Sequence, residues 1–80
     1  MNRTKIMAKL NEIFCDVFDD EDIVLTSETT SDDIEDWDSL EQINLLVAIE
    51  KQFNIKFQLA DVADLENVGA MIDLVEKMLG

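Results

Sequence analysis

Asp36-Trp37-Asp38-Ser39-Leu40 opens an apolar segment that runs on to Phe57, and its reading decides the fold. Asp38 has the features of an N-cap: its carboxylate can accept hydrogen bonds from the unpaired backbone N–H groups of a helix's first turn. Glu41 follows three residues later, so Asp38-x-x-Glu41 reads as a capping-box variant with Asp in the cap position. Ser39 then falls at the first helical position, beside the positive end of the helix dipole. A phosphate attached to its hydroxyl would be stabilised there.

From Ser39 to about Phe53 the helix carries two apolar stripes. Leu45, Leu46, Ile49 and Phe53 follow the helical period and are expected to face the core. Leu40, Ile43 and Val47 form a second stripe on the side that carries Ser39, with Glu41, Asn44, Glu50 and Lys51 beside it. Periodicity alone is equally satisfied by a broadly buried helix with an acidic rim.

Working outward toward the N-terminus, residues 4–18 read as an amphipathic helix. Ile6, Leu10, Ile13, Phe14 and Val17 recur at three- and four-residue spacing, and Phe18 extends that face. Cys15 lies beside the stripe with acidic neighbours, which describes an incidental helix-edge residue rather than an activated thiol. Residues 19–37 form a long acidic connection. Ile23, Leu25 and Ile34 are its expected anchors, and Thr26, Ser27, Thr29 and Thr30 supply turn-forming hydroxyls. A calcium loop would need alternating ligands around a central glycine, but this stretch has no glycine, and Val24 and Thr26 stand where ligands belong.

Toward the C-terminus a short helix is expected at about Leu59 to Asp64. Leu59, Val62 and Leu65 would face inward, with Asp61 and Asp64 outward. A last helix from about Val68 to Leu79 would bury Val68, Met71, Ile72, Val75 and Leu79. Asn67 is its expected N-cap, and Gly69 would permit a close helix approach at some cost in helix propensity. The fold class is therefore all-α: three longer helices, one short helix and a long first loop around one apolar core.

Composition narrows the function. Eighty residues make a single domain spanning 1–80, and a chain of this size buries only about 60% of its unfolded surface. The net charge of −13 argues against nucleic acid and anionic membranes as partners and favours basic protein surfaces. No segment approaches the roughly 20 apolar residues that span a bilayer, so no membrane insertion is expected. The N-terminus lacks a secretory pattern, and with one cysteine a cytoplasmic monomer is the expectation. With no histidine, Ser39 has no imidazole base to make it a hydrolase nucleophile, and a zinc site has too few ligands. The reading is non-catalytic, with Ser39 an attachment point that another enzyme activates.

Asp38-Ser39-Leu40, with the helix from Glu41 through Phe57 that follows it, resembles the acyl carrier protein family. The resemblance implies an acyl-carrier-like four-helix bundle in which Ser39 carries a covalent 4′-phosphopantetheine arm derived from coenzyme A. The flanking Asp38 and Leu40 complete the attachment motif. It implies a phosphopantetheinyl transferase as one partner, and acyl-transferring or condensing enzymes as the others. Acyl intermediates of fatty acid, polyketide or related specialised biosynthesis would then be held as thioesters. Beside an attachment serine, the stripe and its carboxylates read as a docking surface for basic partners: Leu40, Glu41, Ile43, Val47 and Glu50, extended by Asp61 and Asp64. Asn44 and Lys51 stand where many carriers of fatty acid synthesis have acidic residues. A tryptophan in the position of Trp37 is more familiar in stand-alone carriers of specialised pathways. The alternative from another functional class is a small acidic helical adaptor that binds a basic partner without modification, Asp38 being only a cap.

Overall fold

The computed structural model describes residues 2–62, 65 and 67–79. Four helices follow in order: α1 Arg3–Phe18, α2 Ser39–Phe53, α3 Leu59–Val62 and α4 Val68–Leu79. The all-α expectation and the placement of all four helices hold. Asp64 and the side chain of Leu59 lie outside the described residues.

α1 is the central element and packs against both α2 and α4. Its apolar face supplies Ile6, Leu10, Ile13 and Phe14, all buried. They meet Leu45, Ile49 and Phe53 from α2 and Val68, Met71, Ile72 and Val75 from α4 in one continuous core. Burying each such side chain is worth about 1.5–3 kcal/mol, so three faces sharing one core account for the cohesion of short helices that would be marginal alone. Both long helices before the short one end on a left-handed residue, Asp19 (φ 52°) for α1 and Asn54 (φ 54°) for α2. Asp and Asn tolerate that conformation better than other non-glycine residues. It lets the following N–H turn back to the helix: Asp20 donates to the Cys15 carbonyl and Ile55 to that of Glu50, each at 3.0 Å.

The long first loop is tied down at several points. The Asn11 side chain donates from Nδ2 to the Ile23 carbonyl at 3.0 Å and accepts from the Leu25 N–H at 2.7 Å. Leu25 is buried, while Ile23 and Ile34 rest on the core half-buried, so all three expected anchors engage. Thr26, Thr29 and Thr30 stabilise turns through their hydroxyls. Ser27 contributes its carbonyl instead, which accepts the Gly69 N–H at 2.8 Å.

α4 begins against this loop, and its first donors are all satisfied. Val68 donates to the Thr29 carbonyl, Gly69 to that of Ser27, Ala70 to Asn67 Oδ1 at 2.8 Å and Met71 to the Asn67 carbonyl. Asn67 is thus the N-cap, as its position predicts. The close approach at Gly69 is made by the loop backbone rather than by another helix.

Two burial expectations are corrected, and one buried residue joins the core-facing set. Leu79 is 40% exposed. The first residue of α1, Arg3, already meets Asp73 (2.5 Å) and Glu76 (3.3 Å), so the end of α4 overshoots the helix it packs on. Leu74 is buried in its place in the core-facing set, widening the α4 stripe. Leu46 is only half-buried, because α2 has its packing partner on the side of Leu45 and Ile49.

Gly69→Ala tests the loop–α4 contact. Alanine ordinarily stabilises a helix by about 1 kcal/mol over glycine, but here a Cβ would stand 2.8 Å from the Ser27 backbone oxygen. The expected outcome in urea denaturation is a net loss of about 1–3 kcal/mol, the usual cost of overpacking.

Candidate functional site

The site is built at the start of α2. Asp38 adopts an extended backbone (φ −114°, ψ −173°), and its Oδ1 accepts the Glu41 N–H at 2.9 Å. The Asp38 carbonyl accepts the Gln42 N–H at 2.9 Å, the first bond of the helix. The reciprocal half of the expected capping box does not form. The Asp38 N–H donates to the Asp36 carbonyl, and Glu41 Oε1 accepts from Asn44 Nδ2 instead.

Ser39 follows as the first helical residue and is exposed. Among the described residues its Oγ has no hydrogen-bond partner, and nothing accepts the N–H groups of Ser39 and Leu40. Those two donors point out of the helix end, where an oxygen of a phosphate esterified to Ser39 could accept them. The site therefore fits a phosphodiester: an open hydroxyl, two free donors and the positive end of a helix of 15 residues.

Two side chains that the sequence reading gave no role in the site fix its position. The Trp37 ring stands edge-on to Phe14 at 5.1 Å and 84°, which ties the end of the loop to α1. The Trp37 indole N–H donates to Gln42 Oε1 at 2.6 Å, which ties it to the first turn of α2. Ser39 is thereby held between two tethers. The available signal was an aromatic residue next to a cap with a polar residue five positions on, a spacing that crosses a loop–helix boundary and belongs to no periodic pattern. Beside Ser39 lies an open groove of about 420 Å³, lined in part by Trp37, Gln42, Val62 and Leu65.

Leu40, Ile43 and Val47 are 66%, 59% and 43% exposed, so the second stripe of α2 is a surface and not part of a buried helix. Glu41 lies beside it, partly exposed. Glu50 has a local duty: its Oε2 accepts the Phe57 N–H at 2.8 Å and closes the turn after α2. Asp61 Oδ2 accepts the Gln58 N–H at 3.2 Å at the entry to α3. The structure thus brings Asp38, Ser39, Leu40 and Glu41 together, with Ile43 and Val47 running on from them. Glu50 sits further along α2, and Asp61 lies on α3. Cys15 is half-buried, with its Sγ 3.7 Å from the Ile23 carbonyl. Among the described residues no three acidic or sulfur ligands converge on a metal position.

Known proteins share this architecture. Residues 8–75 match the family described as "Phosphopantetheine attachment site". The chain is 28% identical over 79 residues to an acyl carrier protein of Thermotoga maritima, covering 99% of this chain and 98% of that one. It also resembles the solution NMR structure of a holo acyl carrier protein from Geobacter metallireducens, with a TM-score of 0.86 and 49% identity. That likeness covers 91% of this chain and 84% of the other.

Asp38 can be tested separately from Ser39. Asp38→Ala should cost about 0.5–2 kcal/mol in thermal or urea unfolding, the usual loss for an N-cap, whereas Asp38→Asn should stay within a few tenths of the wild type. Equal losses in the two variants would show that the cap bond to Glu41 is not what Asp38 contributes.

Proposed function

We propose, starting from the fact that this chain belongs to the acyl carrier protein family, that Ser39 is the residue on which it bears its prosthetic group. The protein is a non-catalytic carrier served by a phosphopantetheinyl transferase and by biosynthetic enzymes. Its prosthetic group is 4′-phosphopantetheine, which when bound supplies a flexible arm and a terminal thiol for holding acyl groups as thioesters. The observation that carries the assignment of Ser39 is its place: an exposed hydroxyl at the first position of α2, beside two unpaired backbone donors.

The residues around it have separable parts in loading. Ser39 Oγ forms the new bond to the phosphorus of the pantetheine phosphate of coenzyme A, and the nucleotide phosphate leaves. Its proton passes to a base on the transferase, since among the described residues no side chain hydrogen-bonds Ser39 Oγ and the Asp38 carboxylate is engaged by the Glu41 N–H. The free N–H groups of Ser39 and Leu40 offset the charge of the resulting phosphodiester. Asp38 holds the first turn in shape without touching the reacting atoms.

The exposed stripe of Leu40, Ile43 and Val47 is the docking surface in this reading, with Glu41 beside it. Glu50 and Asp61 extend the acidic rim in the same proposal, each with one carboxylate oxygen already given to a backbone N–H. A net charge of −13 steers such a surface toward basic partners and opposes self-association, which supports a single-domain monomer. Among the described residues no helix is long and apolar enough to cross a membrane. Together with the acidic balance and the single cysteine, this supports a cytoplasmic place among enzymes of fatty acid, polyketide or related specialised biosynthesis. The unmodified adaptor is not favoured, since family membership brings the prosthetic group with it.

Two experiments test the proposal. Incubated with coenzyme A and a broad-specificity phosphopantetheinyl transferase, the wild type should gain one phosphopantetheine by intact mass, and Ser39→Ala should gain none. Loading of Ser39→Ala would place the attachment elsewhere. Separately, Ile43→Ser and Val47→Ser should each lower kcat/KM for loading by roughly 10-fold, the equivalent of about 1.4 kcal/mol of lost contact. Their unfolding free energies should stay within about 0.5 kcal/mol of the wild type, because both side chains are exposed. Unchanged kcat/KM in both variants would move the docking surface off α2.

A further inference from the structure

Among the described residues the N–H groups of Ser39 and Leu40 have no acceptor, so Ser39 is not held through its own backbone donor. A helix end of this kind frays unless the residues flanking it are fixed. Here one residue fixes them. Gln42 donates its backbone N–H to the Asp38 carbonyl at 2.9 Å, and its Oε1 accepts the Trp37 indole N–H at 2.6 Å. Residues 37–42 are closed twice over by these two bonds, and Ser39 lies inside both closures.

We propose that the bond between Trp37 and Gln42 positions Ser39 for loading, which makes Gln42 a positioning residue for a reaction whose atoms it does not touch. The inference rests on the reading that Ser39 bears the prosthetic group. Trp37 is itself anchored outside α2. Its ring stands edge-on to the fully buried Phe14 of α1. Its backbone N–H donates to the carbonyl of Ile34 at 3.1 Å, and Ile34 rests on the core. The bond from Gln42 therefore refers the first turn of α2 to α1. The cap residue cannot do this alone. Asp38 bonds only to Glu41 and Gln42 in α2 and to Asp36 next to it in the loop, so by itself it would move with the helix end.

Loading requires Ser39 Oγ to approach the phosphorus in line, and a small error of placement at such a step costs rate. Docking is a separate matter, because it uses another side of the helix. At about 100° per residue, Gln42 falls to one side of Ser39, and Leu40, Ile43 and Val47 fall to the other. Loss of the bond should therefore appear in kcat and leave KM for the carrier where it was. It should also leave the fold intact: Trp37 and Gln42 line an open groove, where water can replace the missing acceptor.

The test follows loading by intact mass, with coenzyme A and a broad-specificity phosphopantetheinyl transferase, over a range of apo-protein concentrations. Gln42→Met keeps the length of the side chain without its carbonyl, and Trp37→Phe keeps an aromatic ring against Phe14 without the N–H. Assays are run at a temperature where melting curves show every variant folded. Each single variant should lower kcat roughly 3- to 10-fold, the span that one hydrogen bond of ordinary net strength allows. KM should stay within about 2-fold of the wild type, as expected when docking is untouched. Both substitutions remove the same bond, so the double variant should be no slower than the slower single one. Trp37 is the only tryptophan, so its indole N–H is an unambiguous NMR reporter, and it should exchange with solvent faster in Gln42→Met than in the wild type. An unchanged kcat in Gln42→Met, a loss confined to KM, or losses that multiply in the double variant would overturn the positioning role while leaving the carrier reading intact. A wild type that does not load at Ser39 would remove the reading beneath it as well.

Discussion

The Asn11 side chain is the contact on which the placement of the first loop turns. Its amide gives a donor to the Ile23 carbonyl and an acceptor to the Leu25 N–H, 3.0 and 2.7 Å away, so it pairs with the loop much as a neighbouring strand would. A connection of this length has many conformations to lose on ordering. Two backbone groups fixed to the central helix, with Leu25 buried beside them, remove much of that freedom at one point. The consequences run in both directions along the chain. Downstream of Leu25, the carbonyls of Ser27 and Thr29 take the first N–H groups of α4. Beyond those, the loop arrives at Trp37 and Asp38 with its end set against Phe14. The position of Ser39 is thus inherited from a polar side chain on α1.

That dependence explains what could be read from the sequence and what could not. The helices were legible because their apolar periodicity is local: Ile6, Leu10, Ile13 and Phe14 identify a buried face without any knowledge of its partner. The N-caps Asp38 and Asn67 were legible for the same reason, since a cap bonds within three residues. Asn11, Trp37 and Gln42 were opaque because their partners lie across a loop or on another helix. A polar residue beside an apolar stripe carries no mark that distinguishes a tether from a solvated position. The second half of the capping box failed for a related reason. Glu41 had two possible partners, and the neighbour one turn along, Asn44, took it.

The two apolar stripes of α2 show where pattern stops and packing decides. Both satisfy helical spacing, yet Leu45 and Ile49 are fully buried while Leu40, Ile43 and Val47 are open. The difference is set by α1, which covers only one side of the helix. Leu46, between the two, is half-covered. The exposed stripe has Ser39 and Glu41 at its N-terminal end, which is what sets it apart from an ordinary set of surface aliphatics.

The distribution of charge runs against stability in a way that the packing must offset. α1 has no acidic residue in its first turn and no basic residue in its last, the reverse of what the helix dipole favours. Asp19, Asp20, Glu21 and Asp22 then crowd its C-terminal end, all exposed. Arg3 is used up in ion pairs with Asp73 and Glu76, so it joins α1 to α4 rather than relieving the acidic end. Departures from local preference of this kind are expected where function, not folding, selects the residue. In the proposed docking, an acidic exterior serves to draw basic partners from a distance, with the final contact left to the short stripe beside Ser39. Only a core spanning all three long helices, with the loop clamped to it, can hold such an exterior together.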